Sequence, residues 1–434
     1  MPGLTRRELL AGAGTAAALA LVGCGGDERP RARTGSATAP STTPPAMRKG
    51  ASLIGDVNVY DDSLGVRGYL QGGPHPTTFI ALWAIWPRLQ PAAPSPFTRE
   101  QALHDLGDPG GPAASQLAAL DAQIAQAKAD GCEVALTLYQ AFPAWAQPAA
   151  AALAAVVNEA HVPHDLSPDG PWAWFVAFLC ARYARGGAGN PAGAEIDWLQ
   201  PMNEPNLTWE PQRAPFLPAG TIAGATAELS RTAAAVAAAT PGGPGLLLPG
   251  ASDVVGRAGT ESGRGTPWDA FSAELLAHLQ GWEPGVPVGW AHHNYADVKH
   301  GPEDDGRWRV ERLLELQADH GWPEPSVWLT EGGYQFGVRR NGWIAPDVER
   351  WVVDPARTAD PAHPDVYAEQ VARIRENWAA MARLPVRVWT QYQVHDRDVR
   401  FQSGLRGPVR DTPAGRVAHD PPYPAYELWP QLAA

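Results

Sequence analysis

The stretch WLQPMNEP, residues 198–205, is a β-like run that ends on the acidic residue Glu204. A second stretch, VWLTEGG at residues 327–333, ends in the same way on Glu331. In each case a proline or a glycine pair follows the carboxylate and makes the chain turn. In proteins built from alternating strands and helices, the C-terminal ends of parallel strands carry the chemistry. The two stretches therefore predict an α/β fold with two carboxylates at one edge of a parallel sheet.

The rest of the chain extends this pattern. From about residue 50, short β-rich runs alternate with longer Ala/Leu-rich helical runs, which is typical of βα units. The predicted strands are residues 52–59, 78–85, 132–139, 196–202, 245–249, 288–295, 326–331 and 386–393. The predicted helices are residues 115–130, 171–183, 221–239, 268–279, 309–320, 365–383 and 424–432. Eight strands alternating with helices predict a (β/α)8 TIM barrel that forms a single catalytic domain over residues 50–434.

The N-terminus predicts an export signal over residues 1–24. Paired arginines at Arg6 and Arg7 resemble a twin-arginine signal, and the apolar run after them, about fifteen residues, is short for a membrane span. The run closes with Leu21-Val22-Gly23-Cys24, which resembles the lipobox of bacterial lipoproteins. Lipidation of Cys24 would anchor the exported protein to the outer face of the cytoplasmic membrane. An ordinary cleaved signal, giving a secreted protein, is the alternative.

The segment that follows, residues 25–49, predicts a disordered linker. It is rich in Ser, Thr, Ala, Pro, Gly and Arg, and it has almost nothing to bury. The chain carries a formal net charge of -12, and no basic tract interleaved with aromatic residues suggests a nucleic-acid partner. Membrane contact is expected only through the lipid anchor.

Two cysteines, Cys132 and Cys180, remain in the mature body. They are too few for a disulfide framework, and both are interpreted as small core residues. A single bridge between them stays open.

Enzymes that cleave glycosidic bonds generally need a pair of carboxyl groups. One must donate a proton to the leaving oxygen, and the other must stay ionised to attack or stabilise the oxocarbenium-like centre. Strand alternation predicts that Val327, Leu329 and Glu331 share a face, so that Glu331 ends an otherwise apolar stripe. A carboxylate that only caps a loop is the alternative for Glu331.

On Asn203-Glu204-Pro205 and Thr330-Glu331-Gly332, the chain resembles the clan A glycoside hydrolases, barrel enzymes that include glycoside hydrolase families 5 and 39. In that clan an asparagine precedes the acid/base glutamate after the fourth strand, and the nucleophile ends the seventh. The resemblance implies that Glu204 is the acid/base, Glu331 the nucleophile and Asn203 a donor to the sugar 2-hydroxyl. It implies a retaining O-glycosyl hydrolase of β-linked glycosides or polysaccharides, with no cofactor and no metal.

The sixth strand ends in His292-His293-Asn294-Tyr295. Adjacent histidines on a strand face opposite sides, which argues against a metal site built from this pair. His293 and Tyr295 share a face, and the resemblance implies that Tyr295 donates to the nucleophile carboxylate while His293 lies in the substrate site. A core histidine with satisfied hydrogen bonds is the alternative for His293. In the eighth strand, the resemblance implies that Trp389 stacks under the sugar.

The chain departs from the clan pattern on the second strand. Many members carry an arginine there, beneath the nucleophile, but residues 79–83 read FIALW. Weaker candidates for aromatic cleft walls are Trp83, Trp86, Tyr139, Trp145 and Trp209. Asp253, just past the fifth strand, could either bind a sugar hydroxyl or cap a loop.

Other classes of barrel and hydrolase fit less well. A metal-dependent hydrolase would want a His-x-His pair on an early strand, and a serine hydrolase would want Gly-x-Ser-x-Gly, but neither motif occurs. No Gly-rich dinucleotide or phosphate loop stands out. The serious rival is a catalytically silent TIM barrel that binds a glycan at the cell surface.

Overall fold

The computed structural model describes residues 46–139, 141–147, 162–163, 165–187, 190–207, 221–253, 265–335, 366–396, 403–413, 415–418 and 422–433. All of them belong to one compact unit. The predicted export signal with Cys24, the predicted linker up to residue 45, and Trp209 lie outside the described residues. No helix within the described ranges combines the length and the apolar character that crossing a bilayer requires.

Eight parallel strands form a closed barrel in sequence order, and the first strand pairs with the eighth. The strands are β1 (Arg48–Ser52), β2 (Phe79–Ala84), β3 (Glu133–Leu138), β4 (Trp198–Gln200), β5 (Gly245–Ser252), β6 (Val288–His293), β7 (Val327–Glu331) and β8 (Val386–Tyr392). A short antiparallel pair, β9 (Arg410–Thr412) and β10 (Gly415–Val417), follows the barrel. The predicted (β/α)8 TIM barrel is confirmed.

Helices surround the barrel. They are α1 (Val66–Gln71), α2 (Trp86–Leu89), α3 (Arg99–Gly107), α4 (Ala114–Ala129), α5 (Pro171–Arg182), α6 (Ile222–Ala239), α7 (Trp268–His278), α8 (Tyr295–His300), α9 (Arg309–Asp319), α10 (Val366–Met381) and α11 (Pro424–Leu428). The seven predicted helices are all found. The last is shorter than predicted, because α11 gives way to a 3-10 turn over Trp429–Gln431. Apolar side chains from the outer faces of the strands and the inner faces of the helices form one large core.

The first strand lies earlier in the chain than predicted. It spans Arg48–Ser52 rather than residues 52–59, so it begins inside the segment predicted as linker. The error has a physical cause, because the two basic residues that look unsuited to burial have distant partners. Arg48 forms an ion pair with Glu133 at the start of β3. Lys49, which is 2% exposed, donates to the carbonyl oxygen of Trp429 over 3.0 Å.

The interior of the barrel is narrow and filled by a second, smaller apolar cluster. Its buried members are Phe79, Ala81, Ala135, Leu247, Ala291, Trp328 and Val388. Gly50 of β1 lies on the same inner face, where a Cβ atom would come within 2.6 Å of Thr390 Oγ1 and 3.0 Å of the Phe79 ring. Glycine is therefore required at residue 50 by the close packing of three neighbouring strands.

Cys132 and Cys180 are both buried and free. The bridge that the sequence left open is not formed. Burial raises the pKa of the Cys180 thiol to about 12, which keeps it protonated and unreactive. Both cysteines thus serve as small core residues.

We expect Gly50→Ala to destabilise the barrel by about 1–3 kcal/mol, because the added methyl group overpacks an interior with no room to yield. The matched control is Gly107→Ala at the exposed end of α3, where a Cβ atom meets only Phe178 at 3.8 Å and where alanine favours the helix by less than about 1 kcal/mol. Urea unfolding of both variants measures the difference. Equal free energies of unfolding would show that the barrel interior is looser than described.

Candidate active site

The register between β6 and β7 aims Glu331 into the mouth of the barrel. Ala291 pairs with Trp328, and both lie in the interior cluster. Two residues further along β6, His293 pairs with Glu331, which is three residues further along β7. The extra residue is a bulge, a feature that often re-aims a side chain beside a functional site. The bulge places the side chain of Glu331 on the inner face of the barrel. Without it, strict alternation from the inward-facing Trp328 would have turned Glu331 outward.

The prediction that Leu329 and Glu331 lie on the same face of β7 is therefore wrong, although Glu331 does lie at the mouth of the barrel. Leu329 belongs to the outer core between strands and helices, whereas Glu331 contacts the inward-facing His293. An alternation argument assumes a regular strand, and the bulge breaks the period of two.

Glu204 reaches the same space from a strained turn. β4 ends at Gln200, and four residues later the backbone of Glu204 adopts a left-handed φ of 37°. Left-handed backbone is uncommon outside glycine and often marks a functional site. The side chain of Glu204 is 13% exposed. The preceding Asn203 is 4% exposed, and its amide oxygen has no hydrogen-bond partner within the described part of the chain.

His293 stands between the two carboxylates. Its Nδ1 atom lies 2.9 Å from Glu204 Oε1 and 3.7 Å from Glu331 Oε2. The hydroxyl of Tyr295 donates to Glu331 Oε2 over 2.8 Å. One oxygen from each glutamate and the His293 nitrogen all lie within 4.8 Å of one another. Among the described residues, this is the single group of three acidic, histidine or cysteine side chains close enough to hold a metal ion.

The chain makes room for His293 on the neighbouring strand. A Cβ atom at Gly250 would lie 2.8 Å from His293 Nε2 and 3.4 Å from the side chain of Ala291. β5 carries one extra residue relative to β6 between Leu248 and Ala251, beside Pro249, which has no backbone N–H to donate. The irregular strand and the glycine together leave a slot for the imidazole.

Burial dominates the electrostatics of the site. Glu331 is 5% exposed, and burial, with a smaller contribution from the Glu204 charge, raises its pKa to about 7 despite the opposing effects of His293 and Tyr295. Burial alone would lower the pKa of His293, but the charges of Glu331 and Glu204 and the hydrogen bond that His293 donates to Glu204 outweigh it and raise that pKa. Within the described ranges no lysine or arginine forms an ion pair with either glutamate, and β2 carries no arginine.

Asp253 caps a helix, which decides between its two sequence interpretations. Its carboxylate is 1% exposed and accepts hydrogen bonds from the backbone N–H groups of Ala296, over 2.8 Å, and Asp297, over 2.9 Å. These groups belong to the first turn of α8, which begins at Tyr295. Asp297 is held in turn by Arg309, whose Nη1 lies 3.1 Å from Asp297 Oδ1. Asp253 therefore fixes the turn from which Tyr295 reaches Glu331.

Trp389 does not line the cleft, and its predicted stacking under a sugar is wrong. It is completely buried on the outer face of β8, with its ring 5.8 Å from that of Trp378 and 5.6 Å from that of Trp429. Its indole N–H donates to Asn377 Oδ1 over 2.7 Å. The reason is the phase of the strand, because Trp389 is paired with the outward-facing Leu329.

The aromatic residue on the inner face of β8 is Tyr392, which the sequence analysis missed. Val388 lies in the barrel interior and Thr390 faces Gly50, so Tyr392 continues the same face to the mouth. Its ring lies 6.0 Å from that of Tyr295, edge to face. The sequence could have predicted this position for Tyr392, because residues 388, 390 and 392 share one face of a regular strand.

The weaker aromatic candidates divide into two groups. Trp83 and Tyr139 continue the inner faces of β2 and β3, with ring centroids 5.8 Å apart, and Trp83 is partly exposed. Trp86 is buried and stacks on Phe175 of α5 at 4.9 Å, and Trp145 packs against Trp86. The first pair can contact a ligand in the mouth, whereas the second pair belongs to the core.

Asn206 is a further residue that sequence reasoning missed. It is completely buried, and its amide nitrogen donates to the carbonyl oxygens of Ser252 and Thr266, over 2.9 and 3.2 Å. Its amide oxygen accepts from the backbone of Ser252 over 2.8 Å. These bonds tie the turn that carries Glu204 to the end of β5, and nothing local in the sequence indicates them.

Comparisons with known proteins show a similar fold in solved structures, but they do not assign the chain to a family. No protein-family model and no curated protein matches the chain. A structure described as a novel GH10 endoxylanase from a sugarcane soil metagenome matches 89% of this chain and 96% of its own, at a TM-score of 0.52 and 12% identity. At that identity the likeness shows a shared barrel fold and nothing finer.

Two other solved structures are more distant in shape. Fpglu1 from Fervidobacterium pennivoraus matches 89% of this chain and 94% of its own, at a TM-score of 0.48 and 13% identity. A glucosidase from Croceicoccus marinus matches 80% of this chain at a TM-score of 0.46 and 12% identity. The chain spans 60% of the length of that glucosidase.

We expect Glu331→Gln to stabilise the protein at pH 8 and to have little effect at pH 4. The folded-state pKa of Glu331 is about 7, above its ordinary value of 4.5. Between these values the unfolded chain gives up its proton more readily, so the wild type loses stability as pH rises from about 4.5 to 7. An amide has no proton to lose, and the gain at pH 8 is at most roughly 3 kcal/mol.

Thermal unfolding at both pH values tests this prediction. Glu324→Gln, at an exposed position before β7, is the control for the substitution itself and should change the free energy of unfolding by no more than about 0.5 kcal/mol. A gain for Glu331→Gln that is the same at pH 4 and pH 8 would mean that packing, rather than ionisation, sets the difference.

Proposed function

We propose that the protein is a retaining O-glycosyl hydrolase that acts on β-linked glycosides or polysaccharides. One observation carries the proposal. Two glutamates, at the C-terminal ends of the fourth and seventh barrel strands, present carboxylate oxygens within 4.8 Å of each other. Retaining glycosidases hold their carboxyl groups about 5 Å apart, whereas inverting enzymes leave room for a water between carboxyl groups roughly 6.5–9.5 Å apart.

In the first step, a carboxylate oxygen of Glu331 attacks the anomeric carbon of the sugar as the bond to the leaving oxygen breaks. Glu204 donates its proton to that oxygen, which departs as an alcohol. The product is a covalent glycosyl ester on Glu331. The amide oxygen of the adjacent Asn203 is buried with no hydrogen-bond partner among the described residues. The amide group is suited to bind the sugar 2-hydroxyl, a contact that strengthens in the transition state.

In the second step, Glu204 acts as a base. It takes a proton from a water that attacks the anomeric carbon, and the bond to Glu331 breaks to regenerate its carboxylate. His293 helps in both steps because its Nδ1 faces both glutamates and can donate to whichever is ionised. Tyr295, held by the α8 turn that Asp253 caps, orients Glu331 and favours its charged form.

The walls of the mouth suit a carbohydrate. Trp83, Tyr139 and Tyr392 continue the inner faces of three strands, and aromatic rings offer the apolar faces on which the C–H surfaces of a sugar can stack. The β-linkage is carried over from the clan resemblance. Export and lipidation at Cys24 remain predictions from the sequence, and they would place such an enzyme where extracellular glycans are found.

A silent glycan-binding barrel is the second candidate, and one observation favours it. The pKa of Glu331 is about 7, so that much of it is protonated at neutral pH. The arginine that lies beneath the nucleophile in many clan members has no counterpart on β2. A carboxyl group that is protonated much of the time is a weaker nucleophile than one that stays ionised.

We expect Glu331→Ala to lower turnover of aryl β-glycosides by about 10³-fold or more, because the nucleophile is lost. The control is Glu324→Ala, an exposed glutamate three residues before the same strand, which should keep full activity. Release of the aryl group, measured for both variants beside the parent, gives the answer. The substrate panel should include plant and bacterial polysaccharides.

Two results would point elsewhere. If the folded parent binds glycans but releases no product, and Glu331→Ala keeps that affinity, the protein is the silent barrel. If parent and Glu331→Ala are equally active, the chemistry lies outside the pair of glutamates.

A further inference from the structure

We propose that Glu204, His293 and Glu331 bind one zinc ion, which acts as an inhibitor of the site rather than as a cofactor. The three side chains offer two carboxylates and one imidazole from three different strand ends. Their donor atoms lie within 4.8 Å of one another. Binding of the ion does not depend on whether the protein is a glycosidase, and only the inhibition rests on the proposed function.

The spacing of the donor atoms fits zinc. Zinc takes nitrogen and carboxylate ligands at about 2.0–2.2 Å in a tetrahedral arrangement, which places the ligand atoms about 3.4 Å apart. His293 Nδ1 lies 2.9 Å from Glu204 Oε1 and 3.7 Å from Glu331 Oε2, so the two distances bracket that value. The donor oxygens of the two carboxylates, which lie within 4.8 Å of each other, need to approach by up to about 1.4 Å. The side chain of Glu204 is 13% exposed and can move toward the ion.

A buried atom without a partner points to a ligand in the same place. Glu331 Oε2 accepts the hydrogen bond from Tyr295, but Glu331 Oε1 is buried and has no hydrogen-bond partner among the residues that the structure describes. Buried carboxylate oxygens are almost always paired. A cation bound to the carboxylate would satisfy this oxygen, either directly or through a bound water.

The charge of the cluster also favours a dication. His293 gives up the proton on Nδ1 when that nitrogen binds the ion, as every metal-bound imidazole must. Two carboxylates then face one neutral imidazole, and within the described residues no lysine or arginine is paired with either of them. Magnesium and calcium prefer all-oxygen sites with six or more ligands, whereas a mixed site of imidazole and carboxylates suits zinc. Three protein ligands leave the fourth position of a tetrahedron open to water.

Occupation by zinc engages both glutamates at once. A carboxylate bound to the metal can neither attack the anomeric carbon nor carry the proton for the leaving oxygen. Zinc and substrate therefore exclude each other, and zinc inhibits hydrolysis competitively.

The test is isothermal titration of the purified protein with zinc chloride at neutral pH, with magnesium chloride as the comparison ion. We expect one zinc per chain and no saturable binding of magnesium. His293→Ala should weaken zinc binding by about tenfold or more, because it removes one of three ligands. The matched control is His278→Ala on α7, which breaks a surface pair with Glu274 at 3.7 Å and should leave the zinc affinity unchanged.

Glu331→Gln serves as a second variant in case His293→Ala does not fold, and it should weaken zinc binding in the same way. The proposal is overturned if the folded parent shows no stoichiometric zinc binding. It is also overturned if zinc binds the variants as tightly as the parent, or if only His278→Ala loses it. If the protein binds zinc but hydrolyses no glycoside, the proposed metal site is supported and only the proposed glycosidase function is contradicted.

Discussion

The imidazole of His293 is the contact on which the rest of the site depends. Two carboxylates a few ångströms apart, one buried and one partly exposed, repel each other unless a donor offsets their charge. His293 Nδ1 is such a donor, 2.9 Å from Glu204 and 3.7 Å from Glu331. The surrounding barrel is arranged to allow this. Gly250 leaves the slot for the ring, the bulge in β7 brings Glu331 opposite it, and Asp253 fixes the helix turn that carries Tyr295.

This arrangement lowers the stability of the folded protein. A glutamate buried to 5% exposure with a pKa near 7 is destabilising when it is ionised, so the protein gives up stability to hold Glu331 inside the mouth. Such trade-offs are usual where a site must be dry and charged. Among the described residues, the nearby imidazole of His293 and the hydrogen bond from Tyr295 favour the carboxylate form, and β2 carries no arginine.

The sequence was sufficient to predict the barrel and the two glutamates at the ends of its strands, because strand and helix periods and strand-ending turns are local signals. It failed where distant contacts decide. Lys49 can be buried in a strand because a carbonyl oxygen near the C-terminus accepts a hydrogen bond from it. Trp389 was assigned to the sugar site by its resemblance to other barrels, but the alternation of side chains along β8 turns it outward. The bulge that redirects Glu331 leaves no mark in the composition of β7, since it is a property of the pairing with β6. The role of Asp253 likewise depends on a helix about forty residues later, a separation that no local pattern can bridge.

The central claim is that Glu204 and Glu331 act as a pair in a double displacement. The most direct measurement is proton NMR of the first sugar released from an aryl β-glycoside, recorded before the anomers equilibrate. The account predicts the β anomer as the first product, because two successive inversions restore the starting configuration. Initial release of the α anomer would contradict it, since a single displacement by water requires no covalent bond to Glu331.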